Sequence, residues 1–537
     1  MTAGNDVGSA VESAIGDGGL IVVSNRQPYS HGYGEGGDGD GTGDENGSER
    51  TITVDRPAGG LTAGLDPVLQ RTAGTWVAWG DGEADHEVTN EDGEVRMPPE
   101  NEAYTLKRVW LDEETVEEYY YGYSNRVLWP LCHGGVWKTE FAERHWQRYR
   151  QVNETFAESV VERADPDSLI WFQDYHFSLA PRFVREAAPD PFLMHFWHIT
   201  WPAWDTFRAC PQHRALLAGL LGNDLLGFHT ERYCANFLDC VANAFEDAFV
   251  DREDGRVNYE GHTTAVQAFP LGVDAAAIAE ASTAVGPDFF EGFGREHGIA
   301  PGTRIALGVD RLDYTKGIVE RLNALERLFE THEDWRGRLT YVQKASESRS
   351  LIPEYQNLQT EVRESIERLD ERFGTEEWTP VVYLDQFLPS EELYGLYRAA
   401  DVMLVSAVRD GMNLVAKEFV AAQVDEPGER DREQGAEREG IERGVGREPP
   451  GVLVLSDQTG AYEELGEHAL TINPYDTEGF ADAIAAALSM PADERRERMA
   501  TLREQVTTND LDAWMARVFG AADELRATRE RNTADGA

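Results

Sequence analysis

The sequence predicts an α/β protein of two domains, each built on a parallel sheet. Three observations carry this. Short apolar runs alternate with amphipathic helical patterns along most of the chain. Polar residues follow those runs repeatedly, as they do where ligands sit beyond the carboxyl ends of strands in open α/β sheets. The length, 537 residues, exceeds what one hydrophobic core usually supports.

Taken in order, residues 1–19 hold neither a basic region nor an apolar run of signal length, and no stretch is apolar enough to span a membrane. A soluble, cytoplasmic protein is expected. The first strand is predicted at 20–23, followed by Ser24-Asn25-Arg26. Residues 30–50 are rich in Gly and acid and predict a coreless surface loop, ahead of a turn at Gly59-Gly60-Leu61. Strands follow at 169–172, 192–197 and 225–228, with Gln173-Asp174-Tyr175-His176 and His198 just beyond two of them. The boundary is placed at Phe269-Pro270-Leu271-Gly272, giving an N-terminal domain 1–272. A second domain, 273–509, has strands at 304–309, 339–343, 381–384, 402–406 and 452–455, and an acidic insertion at 424–450. A helix over 510–537 is expected to pack back on the first domain.

Asp plus Glu number 98 against 49 Lys plus Arg, a net charge of −49 spread along the chain, which excludes nucleic acid as a partner. Lysine occurs only at 107, 138, 316, 344 and 417. Such a surface resembles those of proteins working in concentrated salt, where screening removes self-repulsion. At 41% hydrophobic residues the chain is not a disordered acidic one. Cys132, Cys210, Cys234 and Cys240 lack metal or disulfide spacing and read as buried thiols. Neither a Gly-x-Ser-x-Gly elbow nor a phosphate-binding P-loop is present, and Asp174, His176 and His198 have no metal-ligand spacing.

The most informative segment is Arg409-Asp-Gly-Met-Asn-Leu-Val-Ala-Lys-Glu418. It follows a buried strand, Gly411 permits a tight turn, and Leu414, Val415 and Phe419 fall at helical spacing. The amides of Met412, Asn413, Leu414 and Val415 are expected unpaired at a helix start, where phosphate binds well. With Asp410 before the helix and Glu418 about two turns along it, one ligand can meet carboxylates at both ends and amides between. A capped, solvated helix has the same spacing, so the segment alone does not decide. Arg311 and Lys316 are expected on the loop before a helix whose apolar face is Ile318, Leu322, Leu325 and Phe329. Two cations there suit a leaving diphosphate, a task other transferases give to a metal ion; a surface ion pair is the alternative.

Seven motifs run in one order between residues 20 and 476: Ser24-Asn-Arg26, Gly59-Gly-Leu61, the block from Tyr119-Tyr120 through Ser124-Asn125 to Leu128-Trp-Pro130, Asp174-Tyr-His176, Arg311-Leu-Asp-Tyr-Thr-Lys-Gly317, Ser348-Arg349, and Arg409 to Gln423. Together they resemble the trehalose-6-phosphate synthases. The resemblance implies a GT-B fold, two Rossmann-like domains facing across a cleft. It implies retaining transfer of glucose from a nucleotide-glucose to glucose 6-phosphate, with no metal or cofactor and with a separate phosphatase acting downstream. Carried over motif by motif, Arg311 and Lys316 hold the donor diphosphate with the amides of Met412 to Val415. Asp410 and His198 take donor-sugar hydroxyls, Glu418 the ribose, Gly59 and Gly60 close over the diphosphate, and Leu388 lies by the base. Arg26, Tyr120 and Arg349 grip the acceptor phosphate, Trp129 lines its site, and Asp174 with Tyr175 meets its hydroxyls. The chemistry is thereby assigned to Asp174, His198, Arg311, Lys316 and Asp410.

Departures from the family pattern fall at His198-Ile-Thr-Trp-Pro202, expected to alter the wall near the transferred sugar, and at Gln173, Lys344 and Leu388. Lys344 reads either as a cation beside the donor base, favouring guanine over uracil, or as a side chain turned to solvent. A sister enzyme glucosylating glycerol 3-phosphate and a catalytically silent sugar-phosphate sensor stay open, as does a homo-oligomer.

Overall fold

The computed structural model describes residues 3–34, 51–56, 60–349, 351–424 and 449–536. The chain divides into two compact units, Met1–Phe269 with Met515–Ala537, and Pro270–Trp514. Gly59 and residues 425–448 of the acidic insertion lie outside the described residues. Among those described, no helix is long and apolar enough to cross a membrane.

The first unit holds strands β1 (Leu20–Arg26), β2 (Ser30–Tyr33), β3 (Ile52–Asp55), β4 (Thr75–Trp79), β5 (Glu94–Met97), β6 (Tyr104–Val109), β7 (Leu169–Gln173), β8 (Phe192–Phe196), β9 (Leu225–Phe228), β10 (Phe249–Asp251), β11 (Arg256–Tyr259) and β12 (His262–Ala268). Ten of them form one sheet in the order β10-β11-β12-β9-β8-β7-β1-β4-β6-β5. Its centre, from β12 to β6, is parallel, with antiparallel strands at the ends. β7 is buried at every residue and β1 at all but Arg26, which explains their apolar runs: helices cover both faces of such strands. The helix Glu143–Val161 buries Tyr149, Val152, Phe156 and Val160 at helical spacing. In the terminal helix Leu511–Gly536, Phe519 packs edge-on to Trp171 of β7, and Arg529 donates to the carbonyls of Pro189, Asp190 and Pro191.

Residues 30–50 are not coreless at their start, as the composition suggested. β2 pairs with β3, and His31 is buried because Asp85 accepts its backbone N–H at 2.9 Å. Arg108, itself buried, closes that cluster by donating to Gln27 and to the Tyr29 carbonyl.

The second unit holds β13 (Arg304–Arg311), β14 (Leu339–Ser346), β15 (Val381–Leu384), β16 (Val402–Val405), β17 (Val452–Ser456) and β18 (Leu470–Ile472). All six are parallel, in the order β15-β14-β13-β16-β17-β18. The chain fills one side of β13 and then the other, so strand order reverses between β13 and β16. In the first unit β1 stands in the same relation to β4 and β6 on one side and β7, β8 and β9 on the other. Alternate residues of β16 enter opposite cores: Met403 and Val405 on one face, Val402 and Leu404 on the other.

Candidate active site

The second unit holds the predicted donor residues other than Gly59, Gly60 and His198, several of them at its switch point. β13 runs two residues beyond its apolar stretch because Asp310 and Arg311 pair with Ala345 and Ser346. Arg311 therefore ends a strand, exposed, and is not on the loop where it was expected. Lys316 closes a short 3-10 turn, Tyr314–Lys316, capped by Asp313, whose carboxylate accepts from Thr315 N at 3.0 Å. Gly317 follows at φ 65, and any Cβ there would overlap the Ser406 carbonyl.

Lys316 Nζ lies 2.5 Å from Asp410 Oδ2, both side chains being 15% exposed. The Asp410 carboxylate also accepts from Asn413 Nδ2 at 3.0 Å. Asn413, at φ 78, caps the helix Leu414–Ala422 through Ala416 N at 3.2 Å. The amides of Met412, Asn413, Leu414 and Val415 meet no acceptor among the described residues, as a helix start predicts. Their positive end adjoins the loop that carries Asp410, the partner of Lys316. Further along, Tyr397 OH donates to Glu418 at 3.1 Å, and burial pushes the Glu418 carboxyl above its ordinary pKa. Leu388 is half-buried against the same core.

One of the two readings of Lys344 falls away. Lys344 does not turn to solvent; it is 6% exposed, its Nζ bonds Ser346 Oγ at 2.9 Å, and burial lowers its pKa. Arg349, at φ 49, donates to Asp313 Oδ2 at 2.8 Å and to Tyr355 OH at 2.6 Å, bracing the turn that carries Lys316.

In the first unit the predicted acceptor residues other than Arg349 gather at the β1–β7 switch point. Arg26 ends β1 and reaches Tyr120 OH at 3.3 Å. Tyr120 stacks on His176 with ring centroids 5.9 Å apart, Tyr175 stacks on the same ring at 4.1 Å, and Trp129 lies 5.9 Å from Tyr175. Asn125 ties them by donating to the Tyr120 carbonyl at 2.7 Å and accepting from Tyr175 OH at 3.0 Å. Tyr120 and Asn125 sit on a π-helix, Glu117–Leu128, a form concentrated at functional sites that no local pattern in the sequence announces. Gly60 opens the helix Gly60–Thr72.

Asp174 follows β7 at φ 67 and ψ 178, a strained conformation for a residue with a side chain. Its Oδ1 accepts the backbone N–H of His198 at 3.2 Å. His198 Nε2 meets Gln173 Oε1 at 2.9 Å, so Gln173, noted only as a departure, fixes this ring. With that oxygen as acceptor, His198 carries its proton on Nε2 and presents Nδ1 as an acceptor. Burial, with His229 and His195 nearby, holds its pKa far below normal, and the ring is neutral. In the departure at His198-Ile-Thr-Trp-Pro202, Thr200 and Trp201 are buried. Trp201 is buried among Trp197, Phe207 and Phe237, and Thr200 donates to the Cys132 carbonyl.

A model of glycosyltransferase family 20 matches residues 19–524. The trehalose-6-phosphate synthase of Mycobacterium avium is 36% identical over 544 residues, covering all of both chains. The bifunctional trehalose-6-phosphate synthase/phosphatase of Thermoproteus tenax is also 36% identical, over 95% of this chain and 64% of its own length. Among solved structures, the UDP-forming alpha,alpha-trehalose-phosphate synthase of Burkholderia xenovorans in complex with glucose-6-phosphate aligns with a TM-score of 0.77 and 30% identity. That alignment covers 94% of this chain and 99% of the other.

Proposed function

The chain belongs to glycosyltransferase family 20, and on that premise we propose that it moves glucose from a nucleotide-glucose to glucose 6-phosphate, forming trehalose 6-phosphate. Its two Rossmann-like units are those of the GT-B fold. The observation that carries the reading is the Lys316–Asp410 pair beside the uncovered first turn of Leu414–Ala422. Cation and amides suit a diphosphate, and a carboxylate suits sugar hydroxyls.

In this reading Arg311, Lys316 and the amides of Leu414 and Val415 take the diphosphate, Asp410 a hydroxyl of the glucose, and Glu418 the ribose. Arg26 and Tyr120 take the acceptor phosphate, while Asp174, Tyr175 and Trp129 meet its ring. His198 and Arg349 keep the roles the resemblance implies. The bond from C1 to the phosphate oxygen breaks as the acceptor hydroxyl bonds C1 on the same face, and the hydroxyl proton passes to the departing oxygen. Reaction then rests on positioning and on stabilising the charge that grows on the diphosphate. The product keeps its phosphate, so a phosphatase is the reaction that consumes it.

Purified protein in concentrated KCl, supplied with UDP-, GDP- or ADP-glucose and either glucose 6-phosphate or glycerol 3-phosphate, tests this. Trehalose 6-phosphate is expected, fastest from UDP-glucose. Product from glycerol 3-phosphate alone would move the acceptor assignment, and nucleotide binding without turnover would overturn the enzyme.

A further inference from the structure

Directly beneath the donor switch point lies a buried cation that the reading above leaves without a task. Arg321, on the helix Ile318–Thr331, is fully buried. Its Nη1 donates to Asp310 Oδ2 at 2.8 Å, Tyr341 OH at 2.9 Å and Gln343 Oε1 at 3.0 Å. Its Nε donates to Ser406 Oγ at 2.9 Å, and that hydroxyl turns to the Gly317 carbonyl at 2.8 Å. Nη2 has no partner among the described residues. β13 makes room for the guanidinium with Gly308, where a Cβ would overlap it. One side chain thus joins β13, β14, the end of β16 and the turn behind Lys316.

Charges alternate through this region. Asp410 pairs with Lys316, the enclosed Asp310 feels both Lys316 and Arg321, and Asp310 pairs with Arg321. An enclosed carboxylate beside Lys316 would compete with any diphosphate for that ammonium unless another cation answered it. We infer that Arg321 is a positioning residue for donor binding: by neutralising Asp310 and holding Ser406 against the Gly317 turn, it leaves Lys316 available to the diphosphate. Arg321 itself touches no substrate. The inference rests on the assignment of Lys316 to the donor diphosphate.

Calorimetric titration with UDP, GDP and ADP, together with donor and acceptor KM values, tests it. Arg321→Met is expected to weaken binding of the preferred nucleoside diphosphate about tenfold or more, with the acceptor KM held within about threefold. Arg321→Met combined with Asp310→Asn, which removes the competing carboxylate, is expected to recover affinity to within about threefold of wild type. A folded Arg321→Met that binds as wild type does, or a double variant as weak as the single, overturns the inference. Should the single variant not fold, the double variant decides: a tenfold loss there overturns it, and near-wild-type affinity supports it. Wild-type protein that binds a nucleoside diphosphate but makes no product would defeat the proposed reaction while leaving this test intact.

Discussion

The switch point between β13 and β16 is held by full charges, whereas the one between β1 and β7 is held largely by neutral groups. At the former, Lys316 pairs with Asp410 and Arg321 with Asp310. At the latter, stacked Tyr120, His176 and Tyr175 are tied by Asn125, and burial keeps His198 and His195 uncharged. The topology is the same at both, and the difference matches the ligands proposed for each end. A departing diphosphate calls for fixed cations, while sugar hydroxyls call for oriented donors and acceptors whose own charge would attract water. Arg26 and the Asp174 carboxylate are the exceptions in the neutral half, and Arg26 stands where a phosphate is expected.

The largest effect should come from the charged half. Lys316→Ala is expected to cost about 3 kcal/mol or more in kcat/KM, the scale of removing one preorganised charge that stabilises the transition state. Steady-state kinetics within a few-fold of wild type would show that the cation is only an ion-pair partner of Asp410. Asp174→Gly sharpens the other half. Glycine accepts φ 67 without strain, so melting should move up by about 1 kcal/mol of stability while turnover falls by about 2 kcal/mol. A loss of both would mean that the carboxylate's bond to His198 outweighs the strain.

Titration separates the halves next. His195 is fully enclosed, its Nε2 meets the Asp174 carbonyl at 3.0 Å, and its pKa is pulled from 6.5 down to about 3, chiefly by burial. Below 6.5 the unfolded chain takes a proton that the folded ring refuses, so stability present above 6.5 drains as pH falls toward 3. His195→Gln should flatten that slope by up to about 1.4 kcal/mol per pH unit in denaturant melts. An unchanged slope would break the neutral-ring account. The smallest effect is expected from Tyr120→Phe, which removes one hydroxyl beside Arg26 and should raise the acceptor KM by about 0.5–1 kcal/mol with the donor KM unmoved.

How far each half could be read in advance follows the same division. The donor loop was legible because strand end, glycine turn and helix start lie within a few residues of one another, and its chemistry rides on that local pattern. The neutral half was less so. Thr75–Trp79 went unread as a strand, and the π-helical winding of Glu117–Leu128 leaves no periodicity to find. Lys344 was left between two readings and Arg321 was passed over because burial of a long cation depends on its tertiary surroundings.

The sequence by itself determined the α/β class, the strands buried on both faces and the motifs that follow them, since each is a matter of side-chain pattern over a short span. Only the tertiary structure decided that Lys316 meets Asp410, 94 residues along the chain, and that Tyr119 meets Asn25 across another 94. Parallel strands carry their carboxyl ends to one edge however far apart they lie in sequence, and hydrogen bonds of about 3 Å are then chosen by sheet order and register.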